Sequence, residues 1–271
     1  MSFYKQSFPH LLCEVSGPLL WLTLNNPEQK NAISLEMVES LVTTLRYADF
    51  DPEIRVIILK GAGGAFSAGG DIKAMQNKTG MFAGASNELR MRYIHGIQKI
   101  PKCIEELSKP LLALIQGPAI GAGCDLAMMC DIRVGSPQAQ FGETFVKIGL
   151  VPGDGGAFFL QRVIGYAKAM QLSLTGDVVA GEEALKWGLL SSLHSEETVL
   201  AETEKLARKI ADNAPVAVQM TKKALKAAYL SDLQAALDLA AAYQGIAQRT
   251  EDHFTALESF KTKTQPSFQG R

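Results

Sequence analysis

The sequence predicts an α/β fold that ends in an all-helical segment, and three observations carry that reading. Two short apolar stretches, 55–60 and 111–115, each run into a glycine-rich break that opens a helix bearing an aspartate. From 196 onward the chain has almost no strand pattern, only successive apolar periodicities of helical length. Its 271 residues, 47% of them hydrophobic, suffice for one well-buried core.

The first elements are strands 10–16 and 19–24, rich in Val, Leu and Trp and separated by Gly17-Pro18, which predicts a hairpin. Ser34 is a suitable N-cap for a helix whose apolar face is Leu35, Val38, Leu41, Val42 and Leu45. The first strand-to-helix unit is 55–60, the glycine break 61–70 and a short helix from Asp71. Segment 79–86 has two glycines and little periodicity, and reads as a mobile loop; a single long helix is expected over 88–107. The unit recurs at 111–129, where Pro110 precedes the strand and Gly121 opens the helix, an irregular internal repeat. Helices are expected over 197–212, 215–229, 233–248 and 251–261, with Pro215 in a first turn that tolerates it. Residues 235–242 are apolar around most of the helix circumference, which predicts burial on more than one side. The organisation expected is a core over 1–195 and a helical region over 196–271.

Composition narrows the function. A formal net charge of −1 supplies no basic field for a nucleic-acid backbone. The longest apolar runs are strand-sized, well short of the roughly 18 residues of a spanning helix, so a cytoplasmic protein with no membrane partner is expected. Cys13, Cys103, Cys124 and Cys130 show no C-x-x-C spacing and read as reduced, packed thiols. No metal is expected, because no two histidines fall at helical ligand spacing, and no Gly-x-Ser-x-Gly elbow supports serine catalysis.

The most specific signals are ordered motifs: Asn31-Ala32; Phe66-Ser67-Ala68-Gly69-Gly70-Asp71-Ile72; the stretch 117–131; Gln140-Phe141-Gly142; Pro152-Gly153-Asp154-Gly155-Gly156; Thr175-Gly176; Trp187-Gly188-Leu189; and Pro266-Ser267-Phe268-Gln269-Gly270. In identity and order these resemble the crotonase family, the enoyl-CoA hydratases and isomerases. The resemblance implies a crotonase-like spiral of repeated ββα units with a C-terminal helical oligomerisation region, assembled as a homotrimer or a dimer of trimers. It implies an enoyl-CoA thioester substrate, in fatty-acid or related acyl-CoA degradation, with coenzyme A as part of the substrate and no separate cofactor.

Chemistry at a thioester puts negative charge on the carbonyl oxygen, which two preorganised N–H donors can hold. The resemblance places those donors on Gly70 and Ala122, and the nucleotide end of coenzyme A against Lys30, Asn31, Ala32, Ala68, Gly70, Asp71 and Ile72, with Lys30 or Lys73 as a point charge for phosphate. The neighbouring lysines Lys222, Lys223 and Lys226 read as a solvated helix face. Hydratases of the family hold a water between two glutamates; here the first position is Asp125 and the second is Phe145, which cannot transfer a proton. Asp125 is the expected base, Asp154 a second candidate beside a position where some members carry a catalytic aspartate, and Glu143, two residues before Phe145, a third that could turn inward although solvent exposure is expected. A lone carboxylate favours double-bond isomerisation over hydration. The alternatives are an idle acyl-CoA-binding subunit and a thioester hydrolase.

Overall fold

A computed structural model describes residues 3–271. The chain opens with β1 (Leu11–Ser16) and β2 (Leu19–Leu24), paired as the expected hairpin with Leu11 opposite Leu24. Helix α1 (Leu35–Phe50) begins where Ser34 Oγ accepts from Met37 N at 3.1 Å, and β3 (Val56–Gly61) follows. Helix α2 (Ile72–Asn77) is capped by Asp71, whose carboxylate accepts from Ala74 N at 3.0 Å.

The expected single helix over 88–107 is two: α3 (Ser86–His95) and α4 (Lys99–Glu106). They part at Gly96, where the backbone leaves helical values and a Cβ would stand 2.4 Å from Arg92 O. The weakly periodic segment before them contains a short 3-10 turn at Gly80–Phe82, with Met81 in the core.

Next come β4 (Leu111–Ile115), β5 (Pro118–Ile120), α5 (Ala122–Met129), β6 (Ile132–Gly135), β7 (Gln140–Gly142), α6 (Gly156–Ile164) and α7 (Tyr166–Thr175). Strand β8 (Val178–Ala180), α8 (Gly181–Trp187) and β9 (Ser192–Leu193) complete the core. Then α9 (Val199–Ala211), α10 (Pro215–Leu230), α11 (Leu233–Ala247) and α12 (Glu251–Thr262) close the chain. The turns β4-β5-α5 and β6-β7-α6 are successive ββα units of the spiral.

Among the described residues, one sheet runs β1-β2-β3-β4-β6-β9, parallel from β2 onward, and a smaller one runs β5-β7-β8. Strand alternation sorts the large sheet's side chains between two apolar layers. Leu20, Leu22, Ile57, Leu59 and Ala113 join the main core with α1 and α5. Trp21, Val56, Ile58, Leu112 and Leu114 meet Val199, Ala207 and Ala211 of α9 on the other face. Burial on both faces explains why these strands read as unbroken apolar runs. Helix α9 thus covers the core sheet although it lies beyond residue 195.

The lysine cluster on α10 corrects the expectation of a solvated face. Lys222 is buried, donating to Lys109 O at 2.7 Å and to Asp131 at 2.6 Å, and Lys226 bonds the Glu105 carboxylate at 3.2 Å; Lys223 alone is exposed. These pairs pin α10 to its own core. Helix α11 packs on α10 with Leu239 and Tyr243 half-buried but has no buried residue, so the burial expected on more than one side of 235–242 is not met within the subunit. No described helix is long and apolar enough to cross a membrane.

Candidate active site

The two glycine breaks are bound edge to edge. Ile120 N donates to Ser67 O at 2.9 Å, and Phe66 N and Ser67 N both donate to Pro118 O. Only glycine permits that approach at Gly69 and Gly123. Gly69 has φ +84, and a Cβ on it would stand 2.4 Å from Ile120 O and 3.0 Å from Ala122 N; on Gly123 it would stand 2.2 Å from Ser67 O. The contact sets Gly70 and Ala122 on one cleft. Ala122 is the first residue of α5, where N–H groups have no intrahelical acceptor, and among the described residues no backbone acceptor takes the N–H of either Gly70 or Ala122.

The loop 30–33 braces the first break. Asn31, fully buried, donates to Ala62 O at 2.8 Å and Ala65 O at 2.9 Å and accepts from Asn26 N at 2.9 Å. Lys30 O takes Ala68 N, and Ile33 N reaches Gly69 O at 2.8 Å. Asn31 and Ala32 are buried scaffold, and the Asp71 side chain caps α2. Ala68, Gly70 and Ile72 border the cleft; Lys30 and Lys73 are exposed and do not line it. The rest of the cleft is largely apolar, with Met75 of α2, Met81 and Phe82 of the turn after it, Ile97 between α3 and α4, and Phe145. Phe145 stands against Gly121, its ring 3.6 Å from where a Cβ would lie.

One carboxyl reaches this cleft. Asp154 borders it in company with Tyr93 of α3, and its turn is held by Gln98 Nε2 donating to Gly153 O at 2.7 Å. Burial, reinforced by neighbouring Asp125, pushes the Asp154 carboxyl up to about 9. Asp125, the first candidate for base, is fully buried and does not border the cleft. It sits behind Asp154 against Gly156, where a Cβ would fall 1.9 Å from its Oδ1. Burial and then the charge of Glu143 hold Asp125 well above the carboxylate range.

Glu143 corrects the expectation of solvation: it is fully buried. Gly121 N donates to Gly142 O at 2.7 Å, which draws the end of β7 against the start of α5 and turns the next side chain inward. Burial raises its carboxyl, while contacts from Asp125 and Cys124 hold it down. Glu143 was marked only by its place two residues before Phe145, and no sequence signal marked Tyr93, because α3 carries little apolar periodicity.

A spiral α/β core presents two free N–H groups and one carboxyl to an apolar cleft, an arrangement that can hold an oxyanion while a proton moves. The Enoyl-CoA hydratase/isomerase family model matches residues 14–271. A crotonyl-CoA hydratase from Syntrophomonas wolfei is 31% identical, over 97% of this chain and 98% of its own. A 1,2-epoxyphenylacetyl-CoA isomerase from Escherichia coli is 33% identical, over 96% and 98%. The crystal structure of an enoyl-CoA hydratase from Bacillus anthracis superposes with a TM-score of 0.91 at 29% identity, covering 97% of this chain and all of that one. The chain belongs to the enoyl-CoA hydratase/isomerase family, and its fold is the crotonase fold.

Proposed function

We propose that the protein moves a proton at Cα or Cγ of an enoyl-CoA thioester, the thioester oxygen resting between the N–H groups of Gly70 and Ala122. Asp154 takes and returns the proton. The observation that carries this reading is the meeting of two unpaired backbone donors and one raised carboxyl on a single apolar cleft. A raised carboxyl is a stronger base once ionised and is readily protonated, which suits a group that must both accept and donate. Phe145 stands where a second acid would complete a water-holding pair, so double-bond isomerisation is favoured over hydration. Retention of the carboxyl at the cleft disfavours an idle binding subunit.

Incubation with saturated, 2-enoyl and 3-enoyl thioesters in deuterated water tests the reading. Deuterium at Cα or Cγ with migration of the double bond is the expected result. Release of free thiol would make the protein a hydrolase, and tight binding with no exchange would make it an idle subunit.

We propose, too, that the coenzyme A portion lies along Ala68–Ile72 with Lys30 or Lys73 meeting phosphate, and that the subunits assemble as trimers or dimers of trimers. Support for assembly comes from the apolar residues left exposed on the closing helices, among them Leu233, Leu237, Ile246 and Phe260. A surface of that kind on a lone subunit invites association. Light scattering at micromolar concentration is expected to give a mass of three or six chains; a stable monomer would end the idea.

A further inference from the structure

We propose that Asp154, Asp125 and Glu143 form a proton wire, in which Glu143 stores the negative charge that Asp154 uses when it takes a proton from the substrate. The inference rests on the reading of Asp154 as the group that meets the substrate; Asp125 and Glu143 act through it as positioning residues.

The three carboxyls are arranged in series. Asp154 borders the cleft, Asp125 neighbours both of the others, and Glu143 neighbours Asp125 and Cys124. Exposure is 2% for Asp154 and 0% for Asp125 and Glu143, and no backbone, hydroxyl, thiol, amide or cationic donor hydrogen-bonds to any of their oxygens. The groups facing them offer no counter-cation. Cys124 on α5 lies by Glu143, Tyr93 on α3 lies by Asp154, and Arg133 on β6 comes near Cys124 but donates to Leu189 O and Cys130 O. Nor do the carboxyls converge as a cation site would require among the described residues.

Three uncompensated charges in so dry a place would be prohibitive, so protons must be shared, and carboxyl O–H groups are the donors on hand. Within the series, Asp154 O–H donates to Asp125 and Asp125 O–H donates to Glu143. Glu143 accepts a hydrogen bond and gives none, which favours its charged form, so the cluster's one charge rests at the end farthest from substrate.

The step balances without an outside reagent. The substrate C–H bond breaks and its electron pair passes into the enolate, held at the thioester oxygen by Gly70 and Ala122. The proton joins an Asp154 oxygen as the former Asp154 proton moves to Asp125 and the former Asp125 proton to Glu143. Reversal returns a proton to the other carbon. One carboxyl at the cleft thus serves as base and acid in turn, which accounts for Phe145 in the place of an opposing glutamate.

The test is the pH profile of kcat/KM for 3-enoyl-CoA isomerisation. The active form of the native cluster carries one charge, acquired when Glu143 ionises. In Glu143→Gln that charge must come from Asp125 or Asp154, which ionise higher, so the acid limb is expected to move up by about one pH unit or more, with activity about tenfold lower near neutrality and recovered in alkali. Glu143→Asp is expected to restore much of the neutral-pH rate. A folded Glu143→Gln whose limb is unmoved, or moves down, or whose loss is equal at every pH would overturn the wire and leave Asp154 as base. Undiminished exchange in Asp154→Asn would instead overturn the reading on which it rests. Should Glu143→Gln not fold, infrared spectra of the native protein decide: protonated-carboxyl bands at neutral pH are expected, and their absence would overturn the proposal.

Discussion

Replacing Asp154 with asparagine is expected to lower Cα or Cγ proton exchange by about 10²–10⁴-fold, the usual contribution of a positioned acid–base group, while acyl-CoA binding is retained. Asparagine is nearly isosteric with a protonated aspartate, and this carboxyl, pushed up to about 9, is already held toward its neutral form near neutral pH. The substitution therefore adds no buried charge and keeps the turn around Gly155 and Gly156 intact, which isolates the chemistry from the fold. Isotope exchange monitored by mass, alongside calorimetric binding of a saturated acyl-CoA, measures the two properties separately. Asp125→Asn is expected to be milder. Full exchange in Asp154→Asn, with loss in Asp125→Asn, would return the base to the deeper aspartate.

Ala122→Pro is expected to slow turnover by about 10²–10³, equivalent to roughly 2.7–4 kcal/mol, through loss of one oxyanion donor. The backbone favours a clean experiment, since a first helical residue is where proline is best tolerated and no backbone acceptor takes the N–H it would remove. Gly121, at φ +54, precedes it without a side chain to clash. A folded variant with unchanged kcat would remove Ala122 from the site.

The hairpin, the Ser34-capped helix, both glycine breaks and the four closing helices were legible because each is declared locally, by strand-length apolar runs, a cap or a periodicity. The smaller sheet was not, since β5, β7 and β8 are three residues each and hold together only through pairing between distant segments. The division between α3 and α4 was missed because one glycine inside a helical pattern leaves the periodicity readable on both sides. At the site, Gly70 and Ala122 were readable from motif position. The burial of Glu143 and the retreat of Asp125 behind Asp154 were not, because charge is ordinarily a sign of solvent and nothing in the chain announces a run of carboxyls stacked inward. Lys222 deceived for the same reason: its partners, Lys109 and Asp131, are distant in sequence.

The interlocking of the two glycine breaks has an evolutionary corollary. With backbone pressed against backbone at Gly69, Ser67 and Gly123, the spacing of the two amide donors is a property of the scaffold, and a side-chain change elsewhere has little purchase on it. The facing wall is of another kind: Met75, Met81 and Phe82 come from a short helix and a single 3-10 turn, connected to the core by exposed chain. Novelty in such an enzyme would accumulate on that wall, where residues can be exchanged or the loop lengthened without disturbing catalysis. Descendants would then diverge in diet while inheriting the same reactive edge.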